Sequence, residues 1–200
     1  MIGVWITFGI VVLLLLYGIS IYNQLVSLLN RAQNAFSQID VQLKRRYDLI
    51  PNLVEVAKKY MSHEEQTLLK VINARNSASS ALQVLNTNGL DSAKVAEFSK
   101  AEGELTNALK GFNIMVEAYP DLKASQNLMQ LNEEIASTEN KIAFSRQAYN
   151  DSVMNYNTYK QSFPNVVIAS MFARFQSDCG LLEFEEDRAT LTTSPKVSFE

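Results

Sequence analysis

The sequence predicts an all-α protein in which a single N-terminal transmembrane helix is followed by an elongated antiparallel helical bundle. An uncharged apolar run covers residues 2–21, and apolar residues recur at alternating steps of three and four over most of the remainder. No alternating strand pattern or glycine-rich loop interrupts this spacing. We therefore expect a membrane anchor at residues 1–21, a helical-bundle domain at 22–176 and an acidic, extended C-terminal tail at 177–200.

The apolar run at residues 2–21 is long enough to cross a bilayer. At about 1.5 Å per residue, twenty helical residues cover the roughly 30 Å hydrocarbon core. Trp5 at one end, and Tyr17 or Tyr22 at the other, stand where interfacial aromatic residues are expected. A cleavable signal peptide would need a basic start, a shorter apolar stretch and a small-residue cleavage site, and the run has none of these. We expect an uncleaved anchor whose partner is the lipid bilayer.

Basic residues lie on the C-terminal side of this run and not before it. Arg31 follows first, and the pair Lys44 and Arg45 continues into Arg46. Positive charge favours the cytoplasmic side of a membrane. We therefore expect a bacterial inner-membrane protein with its N-terminus outside and its main domain in the cytoplasm.

Composition and motifs make no case for an enzyme. The formal net charge of −3 argues against a nucleic-acid-binding surface, and the single Cys179 allows neither an internal disulfide nor a cysteine metal cage. His63 and Glu64 resemble the start of a zinc-protease motif, but Thr67 stands where the second histidine is required. We expect no catalytic residue, metal, cofactor or small-molecule substrate.

The first soluble helix carries a heptad seam. Its apolar positions follow steps of 3-4-3-4-3-4 and are Tyr22, Leu25, Leu29, Ala32, Phe36, Ile39 and Leu43. Three heptads could form a coiled coil between chains, but one helix of an intramolecular bundle is the favoured reading. We expect weak or moderate homo-oligomers at most.

Pro51 is expected to kink or restart the helix, because proline lacks a backbone donor and disfavours a helical residue before it. Asp48 could cap the restart. The second helix is then expected from about residue 52 to residue 85, where the Asn-Thr-Asn-Gly sequence at 86–89 has the chemistry of a turn.

A third helix is expected after Asp91 and Ser92, which are capping candidates. Its seam runs from Val95 to Tyr119 with one interruption, Glu102, and ends before a proline.

The longest helical pattern covers residues 125–163 and stops at Pro164. Residues 166–175 are apolar on nearly every side but too few to span a membrane. A short helix closing one end of the bundle is favoured over an interfacial segment, because Arg174 is its only basic residue.

The densest positive cluster is Lys44, Arg45 and Arg46, our candidate interaction residues. Asp40, Lys44 and Asp48 form an i, i+4, i+8 ladder on one helix face, which leaves Arg45 and Arg46 without partners in that ladder. We expect these two arginines to engage acidic side chains of a partner or of the 183–187 tail.

Several motifs together resemble the LemA family: Tyr22–Val26, Ile39–Val54, His63-Glu64 with Thr67, Ala74-Arg75 and Phe163-Pro164. The resemblance extends over essentially the whole chain. It implies a bacterial membrane protein with one N-terminal span, an α-helical cytoplasmic domain and no known catalytic activity. The family also includes a magnetosome-associated branch, and some members resemble partners of membrane protein quality control.

The favoured function is a membrane-anchored helical scaffold or adaptor that acts through protein–protein interaction. Its protein partner is unidentified, and the resemblance implies membrane quality-control machinery as one setting. The alternative is a membrane-anchored sensor or signalling input module, in which movement of the anchor shifts the bundle. No kinase, cyclase or methylation-type output is visible in the sequence, which favours the scaffold.

Overall fold

The computed structural model describes residues 2–61 and 63–183. These residues are mostly helical and include no β-strand. The elements are α1 (Ile2–Lys58), α2 (Glu65–Asn88), α3 (Ser92–Val116), α4 (Pro120–Lys123), α5 (Gln126–Gln161), α6 (Asn165–Ser170) and a 3-10 helix (Ala173–Phe175). The all-α prediction is confirmed.

The four long helices form an up-and-down bundle. Helix α1 packs lengthwise against α5 and also contacts α2, while α2 packs against α3. The contacts of α1 and α5 run in opposite directions along the two helices, since Phe36 meets Tyr149 at 5.7 Å and Arg45, later in α1, meets Glu134, earlier in α5. Phe36 also meets Phe98 of α3 at 6.5 Å, so aromatic residues from three helices meet in the core. Consecutive long helices are antiparallel, as short connections require.

Helix α1 contains two different segments. Residues 2–20, which we call the apolar arm, are exposed apart from half-buried Gly18, and burial begins at Ile21. Among the described residues, α1 is the one helix long and apolar enough to cross a membrane, and its apolar window is unburied. The heptad seam that follows is buried inside the bundle, with Leu25, Ala32, Ile39 and Leu43 fully covered. The seam therefore packs within the chain, as the favoured reading predicted.

Pro51 does not break α1, contrary to the sequence prediction. The helix continues to Lys58, and Asp48 lies inside it instead of capping a restart. Without an amide hydrogen, Pro51 cannot donate to the carbonyl of Tyr47, four residues earlier. The Nε of Arg75 on α2 donates to that carbonyl oxygen at 3.0 Å. A neighbouring helix thus supplies the donor that proline removes.

The chain reverses later along the sequence than predicted. The helix expected at 52–85 is the end of α1 and most of α2, separated by a connection around Met61 and His63. The sequence signal for this reversal is the uninterrupted polar run at 62–67, which breaks the apolar spacing. Buried Met61 marks the end of the α1 seam, and Leu68 begins the α2 seam.

The boundaries of the later helices agree with the sequence predictions. Asp91 caps α3, accepting a hydrogen bond from the amide of Ala93 at 3.0 Å. Helix α5 lies within two residues of its expected bounds. Helix α6 closes the bundle end nearest the apolar arm and contacts both α1 and α5.

Replacing Pro51 should reduce the contribution of Arg75 to the free energy of unfolding. R75Q is expected to lower the free energy of unfolding by about 1–2 kcal/mol, since it leaves the Tyr47 carbonyl without its side-chain donor. In a P51A background the same change should cost roughly 1 kcal/mol less, because the alanine introduced there supplies the normal helical donor. Urea unfolding of the detergent-solubilised chain, followed by circular dichroism, measures both losses.

The matched control is D48N, which removes only the long 3.9 Å ion pair between Arg75 and the 81% exposed Asp48. We expect it to change stability by less than about 0.5 kcal/mol. Equal losses for R75Q in both backgrounds would show that Arg75 does not act through the Tyr47 carbonyl.

Candidate functional site

The three clustered basic residues of α1 point to different environments. Lys44 and Arg45 are exposed, with 60% and 55% of their side-chain surfaces accessible, whereas Arg46 is 4% accessible. The helix places Arg46 in the apolar seam that runs through Leu43 and Ile50, at steps of three and four. The cluster is therefore divided between a surface and the core.

Lys44 and Arg45 already have intramolecular partners. The Nζ of Lys44 lies 2.6 Å from Asp40, so this rung of the predicted ladder is confirmed. Arg45 reaches Glu134 of α5 at 3.3 Å. Exposed pairs of this kind contribute only about 0–1 kcal/mol. Either cation can exchange its partner at little cost.

Arg46 forms a buried ion pair with Glu102 of α3, and the hydroxyl of Tyr47 donates to the other carboxylate oxygen of Glu102. The expectation that Arg46 meets an acidic group outside the bundle is corrected by this placement. Glu102 was visible in the sequence as the one interruption of the α3 seam. Arg46 interrupts the α1 seam in the same way, so a search for matched interruptions could have paired them.

Burial dominates the electrostatics of this pair. Removal from water raises the pKa of Glu102 above its usual range, while the charge of Arg46 and the hydrogen bond from Tyr47 act in the opposite direction. Burial also raises the pKa of Tyr47 far above its ordinary value, reinforced by the negative charge of Glu102. Tyr47 therefore stays protonated and keeps donating to Glu102.

Two asparagines of α5 hold the C-terminal segment of the described chain by hydrogen bonds to its backbone. Asn157 exchanges two hydrogen bonds with the backbone of Cys179, at 2.8 and 3.1 Å, and Asn150 exchanges two with Leu182, at 3.1 and 2.9 Å. Tyr149 donates to the Gly180 carbonyl at 2.8 Å. Hydrogen bonds from α5 thus hold residues 179–182 against the bundle, although the sequence division placed them in the tail.

Cys179 is enclosed by this arrangement. It is 8% exposed, and burial raises the pKa of its thiol to about 11. A thiol of this kind is almost entirely protonated near neutral pH and is a poor nucleophile. The tail beyond residue 183, including most of the acidic 183–187 stretch, lies outside the described residues.

No group of three or more histidine, cysteine or carboxylate side chains within residues 2–61 and 63–183 is arranged to hold a metal ion. The described chain instead offers one long helix, α1, in which the apolar arm is followed by the exposed side chains of Lys44 and Arg45. A family model described as "LemA family" matches residues 35–199. The chain belongs to the LemA family.

Two relatives extend this assignment. One is Protein LemA from Metamycoplasma hominis, 28% identical over 141 residues, covering 70% of this chain and 60% of the relative. The other is the magnetosome protein MamQ from Magnetospirillum gryphiswaldense, 23% identical over 158 residues, covering 72% of this chain and 58% of MamQ. The matched region therefore spans about three fifths of each relative's length.

Family membership fits the helical architecture. The longest motif of the LemA resemblance, Ile39–Val54, contains Arg46 and Tyr47, which make the internal contacts described above. It also contains Pro51, which leaves the Tyr47 carbonyl free to accept from Arg75. Its outward positions include Val41, Lys44 and Arg45. One motif therefore serves both the packing of the bundle and its surface.

Arg45 and Arg46 should differ sharply when changed to glutamine. R46Q leaves Glu102 buried without its cation and should lower the free energy of unfolding by about 3–5 kcal/mol. R45Q, the matched control one residue away, should lower it by less than about 1 kcal/mol. Denaturant unfolding of the detergent-solubilised variants measures the difference.

The triple variant R46M/Y47F/E102L tests the cause, since Y47F removes the hydroxyl that E102L would leave buried without an acceptor. Replacing both charges and this hydroxyl with apolar side chains should recover most of the stability that R46Q loses. Similar losses for R45Q and R46Q would contradict a buried role specific to Arg46.

Proposed function

We propose that this LemA family protein is a single-pass membrane-anchored scaffold or adaptor that acts through protein–protein interaction and not through catalysis. The observation that carries the proposal is the continuity of α1. One helix of 57 residues includes the apolar arm and the bundle face that bears Lys44 and Arg45. A partner bound to that face is held at a fixed distance from the membrane.

The exposed face of α1 has the chemistry of a recognition surface. Val41 is 61% exposed and stands three and four residues before Lys44 and Arg45, so the three side chains share one face. An apolar side chain beside two cations suits a partner that combines acidic and apolar groups. The weak pairs with Asp40 and Glu134 can yield to such a partner.

The family resemblance makes membrane protein quality control one setting for this partner. Self-association is a further proposal, and it cannot use the Tyr22–Leu43 seam, since that seam is largely buried in the bundle. Any homo-oligomer would have to use an outer face or the apolar arm. The acidic, apolar partner remains the leading proposal.

A sensor is the second candidate, and the same continuity of α1 favours it. No loop separates the apolar arm from the bundle, so rotation or translation of the arm would reach the core directly. A sensor additionally needs two packings of the bundle with similar free energies.

The proposed topology places the bundle in the cytoplasm, supported by the basic residues that follow the apolar arm. A reporter fused after Glu200 should be active in the cytoplasm. The control carries the same reporter with the apolar arm deleted, and it should lose membrane attachment while staying cytoplasmic. Activity only on the outer side of the membrane would reverse the orientation.

Site-specific crosslinking tests the adaptor proposal. A photoreactive residue at Val41 should capture a discrete protein in native membranes, whereas one at Ile114, 71% exposed on α3, should capture little. The charge reversal K44E/R45E should strongly reduce the Val41 product, because it repels an acidic partner. Equal capture at both positions, or capture insensitive to the reversal, would refute recognition by this face.

A further inference from the structure

The bundle end beside the apolar arm is built from aromatic contacts with α1. The ring of Tyr22 lies 4.8 Å from that of Phe172 and 5.4 Å from that of Phe175. One turn earlier in α1, the Cδ1 atom of Ile168 lies 3.7 Å from the position of a Cβ at Gly18. Helix α6 and the 3-10 helix therefore sit level with the C-terminal end of the arm.

The outer surface of this end is apolar. We call it the apolar collar: Phe163, Val166, Val167, Met171 and Phe172, which are 85%, 43%, 52%, 71% and 41% exposed. Residues 161–173 contain no charged side chain. An exposed apolar patch of this kind marks an interaction surface.

Nearby charges are directed away from the collar. Lys160, the last charged residue of α5, is 7% exposed and turns to Asp178 at 2.5 Å. Arg174 reaches Asn30 of α1 at 3.3 Å, eight residues beyond Tyr22. At about 1.5 Å per residue, this partner lies roughly 12 Å further from the arm. The collar surface is thus left apolar.

We propose that the apolar collar lies in the interfacial layer of the membrane that the arm spans, with lipid as its occupant. The position along α1 supports this. The contacts at Gly18 and Tyr22 stand within about 6 Å of each other along the helix, and each interfacial layer is about 5–8 Å thick. If the arm fills the hydrocarbon core, the collar falls in this layer.

Continuity with the arm identifies lipid instead of a second protein as the occupant. Free interfacial helices usually need a basic face to reach the membrane. The collar needs no basic face, because the apolar arm already holds it at the bilayer surface. Attachment through the arm gives the collar a high effective concentration there. Two contacts, the arm and the collar, would then fix the tilt of the bundle and the direction in which the α1 face points.

Single-tryptophan variants test the collar directly, since Trp5 is the only tryptophan of the chain. In the W5F/F163W variant, the fluorescence of the single tryptophan reports the surroundings of the collar. W5F/F144W is the matched control, because Phe144 is 81% exposed on α5 and lies 19 residues, or about 28 Å of helix, from residue 163. The unaltered chain reports the arm through Trp5. Each is reconstituted into phosphatidylcholine vesicles with and without brominated acyl chains.

Lipid contact predicts strong bromolipid quenching of the W5F/F163W variant and little quenching of the W5F/F144W variant. Quenching of Trp5 in the unaltered chain shows that the arm is inserted, on which the proposal rests. Quenched Trp5, with the collar variant no more quenched than its control, would overturn the collar alone. Blue-shifted but unquenched emission from W5F/F163W would also overturn it, because protein would cover the site. Unquenched Trp5 would overturn the membrane span and the collar together.

Discussion

Tyr47 of α1 makes hydrogen bonds with both α2 and α3. Its hydroxyl donates to Glu102 of α3, and its carbonyl accepts from Arg75 of α2. Arg46 beside it supplies the counter-charge for Glu102. A slip of α1 along α3 would separate buried charges and cost several kcal/mol, and we infer that these polar contacts help to set the register of the two helices. The apolar seams drive the association of the helices, whereas the contacts among Arg46, Tyr47 and Glu102 favour one position of α1 along α3.

Local spacing predicted the class and most of the elements. The seams of α3 and α5, the Asp91 cap and the apolar arm depend on residues within one or two turns, so they are readable from the sequence. The errors at Pro51 and Arg46 have a different origin. Both depend on a residue far along the chain: Arg75 satisfies the carbonyl that Pro51 leaves free, and Glu102 neutralises Arg46. Single-helix patterns do not contain these long-range partners.

The candidate site was predictable only in part for the same reason. A cluster of basic residues in sequence indicates a surface patch when all its members face outward. Here consecutive residues of a helix point about 100° apart, so Arg46 enters the core while Lys44 and Arg45 stay exposed. The ladder between Asp40 and Lys44 is local and was predicted, whereas the pairing of Arg45 with Glu134 required knowing that α5 lies alongside.

The buried pair also separates the two functional readings. A sensor that slides or rotates α1 must break or carry along the contact between Arg46 and Glu102, and loss of one partner of a buried pair costs about 3–5 kcal/mol. Coupling free energies in allosteric proteins are typically about 1–3 kcal/mol. A signal of that size is too small to shift α1 against α3 at this layer. Motion of the arm would instead move the bundle as one body, which suits an adaptor that positions a partner better than a switch that reorganises its core.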